Sequence, residues 1–364
     1  MNRRTVLVSG GALVVAGAGA ATLGYRQLSS MVDYNAAAAV SRAALSATPS
    51  LRELVRFATL APNGHNTQPW RFRLAAGRID ILPDHTRRTP VVDPDDHHLF
   101  VSIGAAAENL ALAAAARGHP GEVVFDNTGT SAASVILGNG PPRTSTLFDA
   151  IPHRQSTRSD YDGRPVEPSE LRQLAVAAAM PGIDLVLVTD PAQMRRITDL
   201  VVTGNTAQMT DAAFLTELKR WLRFNPHEAL VTGDGLFSAV SGSPVLPTWL
   251  GPAMFDRFAG VAHENEKYVR QLRSSAGIAV FAGARADPEH WIQVGRACQR
   301  FALQATALGL QHAFMNQPVE VVSLRPELAS LVGLPGRRPD IVMRFGRGRA
   351  LPFSARRPVE NVLV

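Results

Sequence analysis

The sequence predicts an α+β protein made of two fused copies of one unit, with mixed or antiparallel sheets flanked by helices. Three observations carry this. The stretch Gly104 to Gly118, GAAAENLALAAAARG, aligns without gaps on Gly295 to Gly309, GRACQRFALQATALG, with both end glycines, four alanines and one leucine coinciding. LRELVRFA (Leu51 to Ala58) resembles LRQLAVAA (Leu171 to Ala178), and a strand-like run follows each. The order helix, strand, central helix, strand therefore occurs twice, and a repeat of this length is one supersecondary unit used again. Two such copies in one chain would act as a pseudo-symmetric dimer within a monomer. The expected divisions are a leader over 1–28, a first copy over 45–145 and a second over 146–364. The second copy carries a helical insertion over 191–274, placed to act as a lid.

The leader is excluded from the fold. Arg3 and Arg4 precede an Ala- and Gly-rich apolar run with small-residue sites such as Ala18-Gly19-Ala20, the pattern of a twin-arginine export signal. An uncleaved amino-terminal anchor is the alternative, because the run is nearly long enough to span. Either places the rest of the chain on the periplasmic or extracytoplasmic side, with membrane contact only through this segment. No later stretch reads as a span. Of 364 residues, 46% are hydrophobic and 19% charged, so a sizeable core is available. The net charge of +6 is spread over scattered arginines with few aromatics, which argues against nucleic-acid binding. Lys219 and Lys267 are the only lysines, so the basicity is nearly all guanidinium, suited to phosphate or carboxylate. Cys298 stands alone, which excludes an internal disulfide and a cysteine-based metal cage.

In chain order, Ser29 to Ser50 reads as an Ala-rich helix or tether, and Leu51 to Leu60 as a helix. Ala61 to Trp70, APNGHNTQPW, cannot continue helix or sheet, so its amides need other partners. Arg71 to Leu82 reads as a strand, with Trp70 a core residue at its start. Thr86 to Phe100 reads as a polar connection before the Gly104 helix. Asp93, Asp95, Asp96, His97 and His98 lie too close together to converge on one metal ion, so no metal site is assigned. GEVVFD, ASVILG, IDLVLVTD, GIAVFAG, the stretch around His312 to Asn316 and DIVMRFG read as strands. No G-x-S-x-G elbow supports a hydrolase.

At the residues of the first loop a resemblance becomes specific. Pro62, Asn63, Gly64, Asn66, Gln68, Pro69 and Trp70 resemble the A-P-S-x-x-N-x-Q-P-W signature of the FMN-dependent nitroreductase family, with Asn63 and Gly64 replacing its small residues. Arg154-Gln155-Ser156-Thr157-Arg158 looks like the family's R-x-S-x-R/K segment, and Arg356-Arg357-Pro358 like its last basic element. The resemblance implies a nitroreductase-like fold, FMN as cofactor, and ping-pong transfer from NAD(P)H through FMN to a nitroaromatic or quinone-like acceptor. It implies that Arg154, Gln155, Ser156 and Arg158, with Arg356 or Arg357, hold the phosphate and ribityl chain. Pro62, Asn63, Gly64, Asn66 and Gln68 would meet the ribityl or ring edge, and the backbone of Met315, Asn316 and Gln317 the isoalloxazine. The flavin carries the chemistry, so no catalytic side chain is assigned. Guanidinium forks fit a phosphate's charge and oxygens. The first copy keeps the loop but lacks R-x-S-x-R, and the second keeps R-x-S-x-R but lacks the loop. One composite site is expected, as in tandem Acg-type members. A lidded flavin-holding protein with little turnover is the alternative.

Overall fold

The computed structural model describes residues 31–126 and 132–364, so the twin-arginine stretch lies outside the described residues. The first half runs α1 (Met31–Ser41), α2 (Leu51–Thr59), β1 (Trp70–Ala75), β2 (Arg78–Pro83), α3 (His97–Ala115), β3 (Gly121–Phe125) and β4 (Ala133–Leu137). Ser50 starts α2 through a capping box with Glu53, and Leu54, Val55, Phe57 and Ala58 turn one face into the core. Trp70 opens β1 fully buried. The run read as a single strand is in fact a hairpin. Gly77, at φ +69°, reverses the chain, and β1 pairs antiparallel with β2 from Trp70–Pro83 to Ala75–Arg78.

The central helix also starts earlier than its alanines suggest. The buried Asp93 carboxylate accepts from the amides of His98 (3.0 Å) and Leu99 (3.1 Å), so α3 begins at His97 within the stretch read as a loop. Its nineteen residues are long and apolar enough to cross a membrane, contrary to the reading that no later stretch qualifies. Most of that length is buried inside the protein, as for a core helix.

The second half begins with α4 (Thr146–Ala150), α5 (Pro168–Ala178) and β5 (Ile183–Val188). The insertion supplies α6 (Pro191–Thr210), α7 (Ala212–Trp221), β6 (Leu222–Arg223), α8 (Pro226–Thr232), β7 (Leu236–Phe237), α9 (Gly251–Phe258) and α10 (Val261–Arg273). The chain then resumes with β8 (Gly277–Gly283), α11 (Pro288–Ala307), β9 (Gln311–Phe314), α12 (Gln317–Glu320), α13 (Arg325–Leu331) and β10 (Ile341–Gly346).

Two four-stranded sheets have the orders β1-β2-β4-β3 and β5-β8-β10-β9, all their pairings antiparallel, and β6 and β7 form a separate short parallel pair. In each sheet the second strand of the unit lies beside the fourth. Each half therefore contributes two strands, a central helix and two more strands; of these the sequence reading lacked only β2, which it merged with β1.

The central helices α3 and α11 pack directly on each other. A Cβ added to Gly104 would lie 2.0 Å from the Ile292 carbonyl oxygen, and one added to Gly295 would lie 2.0 Å from that of Val101. Each glycine thus meets the carbonyl three residues before the other. Beside the crossing, buried Glu108 takes Arg296 Nε at 2.9 Å and Arg300 Nη1 at 2.8 Å. Gln299 Nε2 donates to Asn109 Oδ1 at 2.6 Å. Asn109 Nδ2 donates to the Phe57 carbonyl (3.1 Å), and Arg300 Nε to the Ala177 carbonyl (2.6 Å). These last two bonds join matching positions of the two helix pairs recognised in the sequence.

Candidate functional site

The loop after α2 has a demanding backbone. His65, Asn66 and Gln68 all take positive φ, at 48°, 53° and 53°, each a cost of about 1 kcal/mol or more that surrounding bonds must offset. Asn63 Oδ1 accepts from the Gln68 amide at 2.8 Å. Asn66 Nδ2 reaches the carbonyls of Gly235 (3.1 Å) and Ala355 (3.2 Å), and its Oδ1 accepts from Arg356 Nη1 at 2.9 Å. Gln68 Nε2 donates to the Gly233 carbonyl (2.8 Å), while its Oε1 accepts from the Arg357 amide (2.9 Å). Asn66 and Gln68 therefore clamp the loop to the insertion and the carboxy-terminal tail. Of the loop's own amides, those of Asn66 and Thr67 donate to the Asn63 and Gly64 carbonyls and that of Gln68 to Asn63 Oδ1, all within the loop.

Residues 154–158 run beside β9. Ser156 forms an isolated bridge with His312, and the Thr157 amide donates to the His312 carbonyl at 2.8 Å. Arg344, buried in β10, pins the same segment from behind. It donates to the carbonyls of Thr157 (3.2 Å) and Ser159 (2.7 Å), and its guanidinium stacks on Tyr161 at 3.9 Å. Its signal in the sequence is a charge inside the otherwise apolar run DIVMRFG, which motif reading passed over.

These elements surround a cavity of about 530 Å³, a size suited to a cofactor. Pro62, Asn63, Gly64 and His65 line it from the first half, and Arg158, Met315, Asn316 and Gln317 from the second. Of the fourteen residues singled out in the sequence, those seven apart from His65 meet at the cavity. The phosphate cage as drawn is not assembled. Arg356 gives its guanidinium to the carbonyls of Thr59 (2.6 Å), Leu60 (3.3 Å), Ala61 (3.2 Å) and Ala355 (2.9 Å), besides Asn66. Arg357 contacts the Gln68 and Asn361 carbonyls. Arg154, only 2% exposed, holds the Leu60 carbonyl at 2.8 Å and stands off the lining, as do Gln155 and Ser156.

Two guanidinium groups nevertheless keep capacity. Arg158 lines the cavity with no partner for its side chain among the described residues; only its carbonyl is engaged, by Gln271 Nε2 at 2.6 Å. Arg154 Nε and Nη1 are buried without a partner among the described residues. Burial lowers the pKa of both below the ordinary arginine value, that of Arg154 to about 9, with Arg356 adding repulsion there. An anion at this end of the cavity would relieve that cost.

Sequence reasoning put the stretch carrying His98 near the mouth of the site, and His98 does line the wall, but it did not single out His65 or the inward face of the insertion. Asp93 caps a helix, and His97 Nε2 lies 2.9 Å from Asp340 Oδ1. Burial, with Arg158 next, lowers the His65 pKa to about 4. Burial also lowers His97 to about 4, and His312 to about 3 with help from Arg154. These folded values lie below the ordinary 6.5, so the contribution to stability is present above that pH and is lost as pH falls toward 3. The urea midpoint is expected to drop between pH 7 and pH 4.5, and His312→Gln to flatten the drop. Equal slopes in wild type and variant would contradict this.

The two antiparallel sheets, the paired central helices and a cavity walled by both halves define an α+β protein built to enclose a cofactor. Residues 151–349 match the nitroreductase family. The chain belongs to that family and is an oxidoreductase of nitroreductase type. A Mycobacterium tuberculosis protein named "Putative NAD(P)H nitroreductase" is 26% identical over 329 residues, covering 86% of this chain and 91% of the relative. A second from that organism, "Putative NAD(P)H nitroreductase acg", is 22% identical over 332 residues, covering 86% and 95%. Among solved structures, a Desulfitobacterium hafniense nitroreductase with bound FMN aligns at 14% identity and TM-score 0.36, over 59% of this chain and 94% of its own. The FMN-dependent nitroreductase of Mycobacterium smegmatis in complex with NADPH aligns at 12% and 0.36, over 56% and 87%.

Proposed function

We propose that this chain is an FMN-dependent oxidoreductase of nitroreductase type, built as two fused copies that share one flavin cavity. The observation that carries the reading is the meeting of residues 62–64 with Arg158 and residues 315–317 in one cavity. The residues present fit the group. Among the described residues Arg158 is an unpaired cation beside a neutral loop, and the buried Arg154 has two nitrogens to spare. A phosphate monoester supplies the charge and acceptor oxygens these forks lack. Asn63 and the open Cβ side of Gly64, which has nothing within 4 Å, leave room for a ribityl chain. When bound, FMN supplies two-electron transfer from NAD(P)H to a nitroaromatic or quinone-like acceptor. The chain's own part is to hold the charge, orient the ring and exclude water.

Support for fused copies comes from the common strand order, the reciprocal glycines and the matching bonds of Asn109 and Arg300. The leader implies export by the twin-arginine route, which carries folded, cofactor-loaded proteins. A second reading is favoured by one observation: α6, α7, α9 and α10 all contribute to the cavity wall. A site covered in this way holds flavin with little turnover. Purified protein should be yellow. Flavin bleached by NAD(P)H and restored by an acceptor supports the reductase, and flavin that NAD(P)H leaves unbleached supports the holding protein. A colourless protein that cannot be reconstituted with FMN sinks both.

A further inference from the structure

We propose that the end of the molecule where α1, α8 and the turn before α9 meet docks on a phospholipid bilayer, seating Trp249 and the outer stripe of α1 among the headgroups. This rests on the anchored form of the leader and is independent of the flavin reading. α1 turns Tyr34 and Ala38 inward, with the Tyr34 ring 4.8 Å from that of Phe237 and its hydroxyl donating to the Phe353 carbonyl at 2.7 Å. Its other side is apolar too. Val32 and Val40 are 74% and 73% exposed, and Ala36 lies exposed between them, one turn from each. A helix apolar on both sides is normally covered on both. α8 packs on α1 and adds Val231, 71% exposed.

Val245 belongs to the same end, because it packs with Met31 on the buried cluster of Tyr34, Ala229, Phe237 and Val240. Four residues further, no more than about 14 Å of chain, Trp249 stands 73% exposed on a turn. The amides of Leu250 and Gly251 close that turn on the Pro247 carbonyl, both at 2.9 Å. Trp249 has no part in the cavity wall. α9 continues outward with exposed Pro252 and Ala253, then Arg257, whose guanidinium has no carboxylate partner among the described residues. Indole rings settle at the headgroup layer, and a guanidinium beside them meets phosphate there. The occupant is read from the chain itself. Residues 1–30 carry the apolar run and lie outside the described residues, and they join the fold at Met31, on this end. An anchor there holds the exposed apolar surface at high effective concentration beside the bilayer. A second copy of the chain has no such tether to this face.

The test reads Trp249 in the full chain, reconstituted in vesicles of equal phosphatidylcholine and phosphatidylglycerol. Trp70, Trp221 and Trp291 are buried, so acrylamide reaches Trp249 almost alone. Vesicles are expected to cut acrylamide quenching at least about threefold, and phosphatidylcholine brominated on its acyl chains to quench the same emission. Trp249→Phe should remove both effects, which assigns them. Val32→Glu with Val40→Glu, at positions exposed enough to leave the fold intact, should restore acrylamide access at least about twofold while the leader keeps the chain on the vesicles. Trp249 left as open to acrylamide on vesicles as in buffer overturns the docking and leaves the anchor standing. Equal protection in the double variant overturns the part given to α1. Protection that rises with protein concentration in buffer, without lipid, assigns the face to a second copy and overturns the proposal. A chain that stays off the vesicles altogether overturns the anchored leader, and the proposal with it.

Discussion

Gly104→Ala is expected to lower the urea midpoint by the equivalent of about 3 kcal/mol, at the upper end of what overpacking a core costs. On an isolated helix the same change would stabilise by about 1 kcal/mol, because alanine is the better helix former. The sign therefore tests the crossing. A new methyl would meet the Ile292 carbonyl carbon at 2.8 Å and its oxygen at 2.0 Å. Backbone atoms have no alternative rotamer, so relief requires α3 and α11 to separate. Separation would also loosen Glu108 from Arg296 and Arg300, and Asn109 from Gln299. Gly295→Ala should behave the same way, since it meets the Val101 carbonyl at the same 2.0 Å. The double variant should cost less than the sum, because one separation serves both clashes. Either single variant matching or exceeding the wild-type midpoint would show that the helices do not meet as described.

How much of this was legible in the sequence depends on the element. The Gly-bounded alanine helices stood out because close approach of two helices needs small residues at fixed positions, and both end glycines and their spacing survive in the text. Of those four glycines, Gly104 and Gly295 lie at the crossing. The second strand of the first half was hidden because Ala76-Gly77 is a short, weakly marked turn within one long strand-like run. The start of α3 was hidden because the carboxylate that holds its first amides is that of Asp93, four residues before the first helical position, among other acidic residues. The insertion could be recognised as helical, but which faces it turns inward depends on how its helices pack.

The candidate site was legible in residue type more than in role. Asn66 and Gln68 carry the family signature, yet their side chains hold carbonyls of the insertion and tail. A motif records that a polar side chain is needed, and a backbone with three positive φ values needs one as much as a ligand does. Arg356 shows the same ambiguity. A guanidinium that would pair with phosphate pairs equally well with a cluster of carbonyls at the end of a helix, and the sequence around it is the same in both cases. His65 was passed over because a lone histidine in a polar loop carries no spacing signal, and His98 was weighed only as part of a metal cluster with its acidic neighbours.

Arg158→Ala is expected to weaken FMN retention at least about thirtyfold, while Arg154→Ala mainly lowers stability. The sequence treats the two arginines as equivalent ends of one segment, and the structure separates them. Arg158 faces the cavity with its side chain unengaged; Arg154 is buried, on the Leu60 carbonyl. Losing two charge-assisted hydrogen bonds to a phosphate costs about 2 to 3 kcal/mol after solvent competition, which sets the thirtyfold figure. Riboflavin supplies the control, because it has the ring and ribityl chain without the phosphate. Arg158→Ala should therefore reduce the preference for FMN over riboflavin and leave riboflavin binding nearly as it was. Arg158→Lys keeps the charge without the fork and should recover part of the preference. The difference should shrink in high salt only modestly, since the cavity screens poorly. An unchanged ratio of FMN to riboflavin affinity in Arg158→Ala would move the phosphate away from this residue. A collapsed ratio in Arg154→Ala alone would place it at the two buried nitrogens of Arg154, and would require the wall between that guanidinium and the cavity to open when FMN binds.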